Sequence, residues 1–316
     1  MTSKSKNNFL YIAVASTVLF TFLIKRIAPI DIDPYHDGFV FPTALIVSNG
    51  SKPNVDALSI YGPLTPTLQG LWLREFGRTF FSLRIHASFL VLAAFVLLVN
   101  LLLREIGIFA ALIMSFLWVL SNPLIVHPLL PWPDLYVLLV QLSALLVLQR
   151  CQKLDNRRIG LYLGVLSGIA FFFKNHFLVS SLCLLTALLF IRNRKLIVPF
   201  FLAGLITVLL IGTLALQMNG TLQAYLQQTV FYAWNMHGEG RSIRGLFNLK
   251  IPLFGLLGLI FLQLFKMERL RNRRILSLSS PFLVLLPFTT LSAIKYRQPQ
   301  VPFYKASSSY HQIFIL

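Results

Sequence analysis

The chain has 316 residues, of which 56% are hydrophobic and only 12% charged. That is more apolar surface than one soluble core of this size can hide, so the composition excludes an ordinary soluble domain and calls for lipid to cover the remainder. The formal charge of +18 does not point to nucleic acid, because the basic residues sit mostly in short runs between apolar stretches, as they do in cytoplasmic loops of membrane proteins.

In chain order, the first apolar stretch is Phe9 to Ile24, behind Lys4 and Lys6. No small-residue cleavage site follows it, so it reads as a retained first helix rather than a signal peptide. Further runs cover Leu83 to Leu103, Ile106 to Val126, Asp134 to Leu148, Ile159 to Phe173, Phe177 to Ile191, Leu196 to Leu216, Ile251 to Phe265 and Ser279 to Ile294. The stretch from Ile159 to Ile191 must be a hairpin turning at Lys174, Asn175 and His176, because one straight helix would measure about 50 Å against a hydrocarbon core of about 30 Å. Cys151 falls in a loop and Cys183 in a span, so no disulfide is expected. Tyr310 to Leu316 reads like the opening of a further span, which fits a C-terminally truncated chain. The expected fold is an all-α integral membrane protein, one transmembrane domain over residues 1–316 with about nine to ten transmembrane helices.

Lys and Arg set the orientation. With the N-terminus in the cytoplasm, 15 of the 28 basic residues fall on short inner segments. The carboxylates go the other way, with only Glu105, Asp155 and Glu268 inside. Two outer loops are long, residues 29–81 and 217–250, and long loops on one side are where function concentrates. The first carries Asp31, Asp33 and Asp37, then two candidate interfacial helices. One is expected to start at Pro42 and stop at Asn49-Gly50. The other is expected to be capped by Thr65, to start at Pro66 and to run to Gly77, with Leu68, Leu71, Trp72 and Phe76 on one face and Gln69, Arg74 and Arg78 largely elsewhere.

The series Asp37, Gly38, Ala44, Gly50, Pro53, Tyr61-Gly62-Pro63-Leu64, Phe76-Gly77 and Arg84 resembles the first outer loop of the multi-span glycosyltransferases of the C-type fold. That group includes protein O-mannosyltransferases and lipid A aminoarabinose transferases. The likeness covers residues 9–105 well, and the rest more loosely through span count, Trp132-Pro133-Asp134 and the Lys174-Asn175 turn. It implies a sugar moved from a polyprenyl-phosphate donor to a lipid, glycan or protein acceptor on the extracytoplasmic side of the plasma membrane.

It also implies a carboxylate at the start of the loop as general base, matched best by Asp37. Many members carry a second acidic residue next to the first, and Gly38 stands there in this chain, so Asp33 and Asp31 are alternates. The leaving phosphate calls for cations on the same face, and Lys174, His176, Arg241 and Arg244 are the candidates. Tyr61 and Trp72 are expected to line the acceptor approach. No pair of the six histidines has zinc-site spacing, and although the three aspartates could hold a divalent ion, no metal or cofactor is assigned.

A multi-span transporter or flippase of a lipid-linked or small solute is the rival class. Against it, no acidic, basic or histidine residue lies near the middle of a span, where proton relays and ion sites are built; only Asn100, Gln141 and Gln263 interrupt the apolar runs.

Overall fold

The structure, a computed structural model, describes residues 3–28, 37–59, 61–121, 129–149, 155–175 and 194–231, with the single positions 181, 184, 185 and 188. Among the described residues the chain is all-helical and has no strand. Helix α1 spans Ser3–Phe22 and passes into a π-helical turn, Leu23–Ile27. Helices α2 (Asp37–Ser48) and α3 (Leu64–Phe76) follow in the first long loop. Then come α4 (Phe80–Ile106), α5 (Ile108–Ser121), α6 (Pro133–Gln149) and α7 (Asn156–Phe173). Helix α8 (Arg194–Met218) leads to the short α9 (Leu222–Leu226) and a second π-helical turn, Gln227–Phe231.

Local chemistry fixes several boundaries. The Thr79 side chain caps α4 by accepting from Ser82 N, and the helix stops at Gly107, whose φ of 79° an L side chain rarely adopts. Asp155 caps α7 by accepting from Arg157 N at 3.3 Å. Three helices, Asn7–Ile27, Phe80–Leu103 and Lys195–Met218, are long and apolar enough to cross a membrane, and Ile108–Leu120 and Pro133–Val147 are shorter apolar helices. The expected runs 251–265 and 279–294, and most of 177–191, lie outside the described residues.

Polar contacts show which helix ends lie together. Arg84, at the start of α4, donates to Ala28 O just beyond α1. Gln69 Nε2 on α3 donates to Pro131 O just before α6. At the opposite end, Gln149 Nε2 at the finish of α6 donates to Leu101 O of α4. Helices α4 and α6 therefore run in the same direction, opposite to α1, and between them lies a core of Leu19, Leu23, Val91, Phe95, Val99 and Leu142 from α1 with its π-helical turn, α4 and α6.

Helix α7 packs on α8 through a row of glycines. A Cβ at Gly160 would lie 2.2 Å from Ile197 O, and one at Gly164 would lie 2.0 Å from Phe201 O. From the other side, a Cβ at Gly204 would lie 2.6 Å from Leu161 O. The backbones meet as closely as in small-residue seams of membrane helices. Residue numbers rise together along the seam, so α7 and α8 run parallel, and the end of α7 lies at the opposite end of the seam from the start of α8.

The first long loop departs from expectation in two places. Helix α2 starts at Asp37 and carries Pro42 inside it, with Thr43 Oγ1 donating to Phe39 O at 2.9 Å in the same turn. Helix α3 starts at Leu64, and the Thr65 hydroxyl does not cap it but donates to Phe173 O at 3.1 Å. Its buried side is Thr65, Pro66, Gln69, Gly70 and Leu73, while Leu71 and Phe76 point outward. Helix α3 is pressed against the bundle by its small and polar face, because Gly70 approaches Val47 and Ser48 too closely for any side chain. Leu71 and Phe76 are left on the outside, whereas Leu73 is fully buried.

Candidate functional site

At the end of the bundle where α4 and α6 begin and α7 finishes, four segments converge. Helix α7 stops at Phe173, and Lys174 turns into extended backbone at φ −160°. The free carbonyl of Phe173 is taken by the first long loop, from Gly62 N at 3.0 Å and from Thr65 Oγ1 at 3.1 Å. Gly62 is required there, since a Cβ would lie 2.0 Å from Phe172 O.

With its backbone held in this way, Lys174 reaches Asp134 in the first turn of α6. Its Nζ lies 3.0 Å from Oδ1 and 2.9 Å from Oδ2, an ion pair that engages both carboxylate oxygens. The Lys174 and Asp134 side chains are 18% and 34% exposed, so the pair sits in a rim and not in a sealed core. The Tyr61 ring lies 6.0 Å from the ammonium and meets Phe39 and Trp132 edge-on at 6.1 and 6.4 Å. Beneath them Tyr136 stacks on Phe173 at 4.8 Å.

The start of the second long loop, residues 217–231, meets the first. Lys52 Nζ donates to Asn219 O at 2.9 Å. Gln228 accepts from Ser59 N and Asn54 Nδ2 and donates to Asn54 O at 2.8 Å. Tyr225 donates to Asn175 Oδ1, next to Lys174. Burial pushes the Tyr225 phenol up to about 12, although its hydrogen bonds with Thr229 and Asn175 pull the other way.

Of the expected site residues, Tyr61 and Lys174 are brought together. Asp37 is the first residue of α2, two positions before the Phe39 that touches Tyr61. Trp72 belongs to a separate aromatic group: its Nε1 donates to Ser82 O at 2.9 Å, and its ring stacks on Phe76 and His86 at 4.1 and 4.6 Å. Asp31, Asp33, His176, Arg241 and Arg244 lie outside the described residues. No group of three His, Cys, Asp or Glu that could hold a metal ion occurs among the described residues.

Sequence reasoning missed the role of Asp134, forty positions before its partner. The available signal was a lone carboxylate and a lone lysine at the ends of two predicted spans on the same side. It also missed Gln228 and Tyr225, which carry no charge to draw attention.

No protein-family model matches the chain, and neither a curated protein nor a solved structure matches it.

Proposed function

We propose that this chain is a membrane glycosyltransferase that moves a sugar from a polyprenyl-phosphate donor to a lipid, glycan or protein acceptor on the extracytoplasmic side of the plasma membrane. The observation that supports the reading is the convergence of the start of α2 at Asp37, the Phe39–Tyr61–Trp132 aromatic group and the Lys174 ammonium at one end of an apolar helical bundle. Glycosyl transfer needs a base beside the acceptor hydroxyl and a cation beside the leaving phosphate, at headgroup level.

In this proposal Asp37 takes the acceptor proton, with Asp33 and Asp31 as alternates, and Lys174 steadies the donor phosphate, helped by His176, Arg241 and Arg244. Tyr61 lines the approach. Trp72 acts as an anchor, since its indole N–H is already bound to Ser82 O. The bundle has about nine to ten spans with the N-terminus in the cytoplasm, and a returning span over 177–191 fits the parallel run of α7 and α8.

The test compares wild type with Asp37→Asn in membranes given labelled polyprenyl-phosphate sugars. Transfer should fall at least about 100-fold, the scale of losing a general base. A variant as fast as wild type would falsify the assignment of the base.

A further inference from the structure

The Lys174–Asp134 pair is better built than an incidental surface contact. Both carboxylate oxygens lie at hydrogen-bond distance from one ammonium. The lysine is not needed to finish α7, because Gly62 and Thr65 already satisfy Phe173 O, and Lys174 N bonds Ala170 O. The Lys174 ammonium and the Tyr61 ring thus meet in a partly exposed rim. A primary ammonium beside an aromatic wall suits an oxyanion, and phosphate offers several oxygens to its three donors.

We propose that Asp134 is the resident counter-anion of this site, occupying on Lys174 the place that a lipid-linked phosphate takes when it binds. Asp134 keeps the ammonium paired while the site is empty, and the incoming phosphate displaces the carboxylate. With 18% and 34% of its two side chains exposed, the pair is open to an incoming anion. Asp134 is a positioning residue that lowers affinity in order to exclude weaker anions. The inference rests on the reading of Lys174 as a donor-phosphate ligand.

The test measures binding of a short-chain polyprenyl monophosphate to the purified full chain in lipid nanodiscs, with inorganic phosphate as a parallel arm. Asp134→Asn should tighten binding of the lipid phosphate about 5-fold, because the competing charge is gone. Lys174→Gln should weaken it about 10-fold or more. Asp134→Glu, which keeps the counter-anion, should stay near wild type and covers the case in which the asparagine variant folds poorly. A gain in affinity cannot come from structural damage, which makes the asparagine variant decisive.

Unchanged or weaker binding by a folded Asp134→Asn variant overturns the proposal, as does Asp134→Glu binding about 5-fold tighter than wild type. Inorganic phosphate competing as well as the lipid phosphate overturns the lipid assignment. Absence of binding by both wild type and Asp134→Asn overturns this inference together with the donor-phosphate role of Lys174. Tightened binding in a protein that transfers no sugar leaves Asp134 in place and removes only the transferase reading.

Discussion

Replacing Gly62 with alanine should unfasten the first long loop from the end of α7. The added Cβ would sit 2.0 Å from Phe172 O, 2.5 Å from Phe172 C and 2.9 Å from Phe173 C, all backbone atoms that no rotamer change can move. Ordinary contact begins at 3.4 Å, so the loop must retreat by about 1.4 Å. The Gly62 N and Thr65 Oγ1 bonds to Phe173 O, now 3.0 and 3.1 Å, would then pass out of hydrogen-bond range. Two lost bonds at about 1 kcal/mol each, plus a buried carbonyl left without a partner, put the cost at about 2–4 kcal/mol.

Thermal unfolding of the detergent-purified protein measures the effect, with Thr65→Val as a half-step costing about 1 kcal/mol. Gly38→Ala is the control, because nothing lies within 4 Å of its added Cβ. The reasoning is refuted if Gly62→Ala unfolds at the wild-type temperature, or if Gly38→Ala loses as much stability.

Other outcomes follow from the same geometry. Gly164→Leu should prevent α7 from seating on α8, since its Cβ alone would lie 2.0 Å from Phe201 O, and the variant should elute as aggregate in size-exclusion chromatography. Gln228→Ala removes the partner of Ser59 N and Asn54 O and one of the two acceptors of Asn54 Nδ2, so limited proteolysis should cut residues 52–59 several times faster than in wild type. The Tyr225 phenol stays neutral in the folded chain to about pH 12, whereas in the unfolded chain it ionises near 10.0. Its contribution is therefore complete below pH 10.0 and falls by roughly 1.4 kcal/mol per pH unit up to about 12. Tyr225→Phe should flatten that part of the stability profile, read by alkaline denaturation.

Helices α6 and α7 were legible in the sequence because turn residues bound their apolar runs: Pro133 opens one, Asp155 caps the other, and Lys174-Asn175 interrupts the second run. The start of α2 was harder. Proline normally opens a helix, yet Pro42 is accommodated one turn in, at a helix that begins with Asp37. In α3, Leu71 and Phe76 face out on one side of the helix, whereas the inward packing of Gln69 and Gly70 depends on where Pro131 and α2 lie, which local sequence does not encode. At the site, charge and the family resemblance marked Lys174, but its partner depended on how α6 and α7 align, which local sequence does not encode. The contacts of Asn54 and Ser59 with Gln228 join positions more than 160 residues apart and needed the folded chain to be seen.

The parallel glycine seam between α7 and α8 also orders the protein's biogenesis. As the chain leaves the ribosome, α7 is delivered first, and its glycine stripe must wait for its partner until α8 has emerged some twenty residues later. A stall or cleavage within that interval would leave the stripe without its mate, a ready signal for cellular quality control.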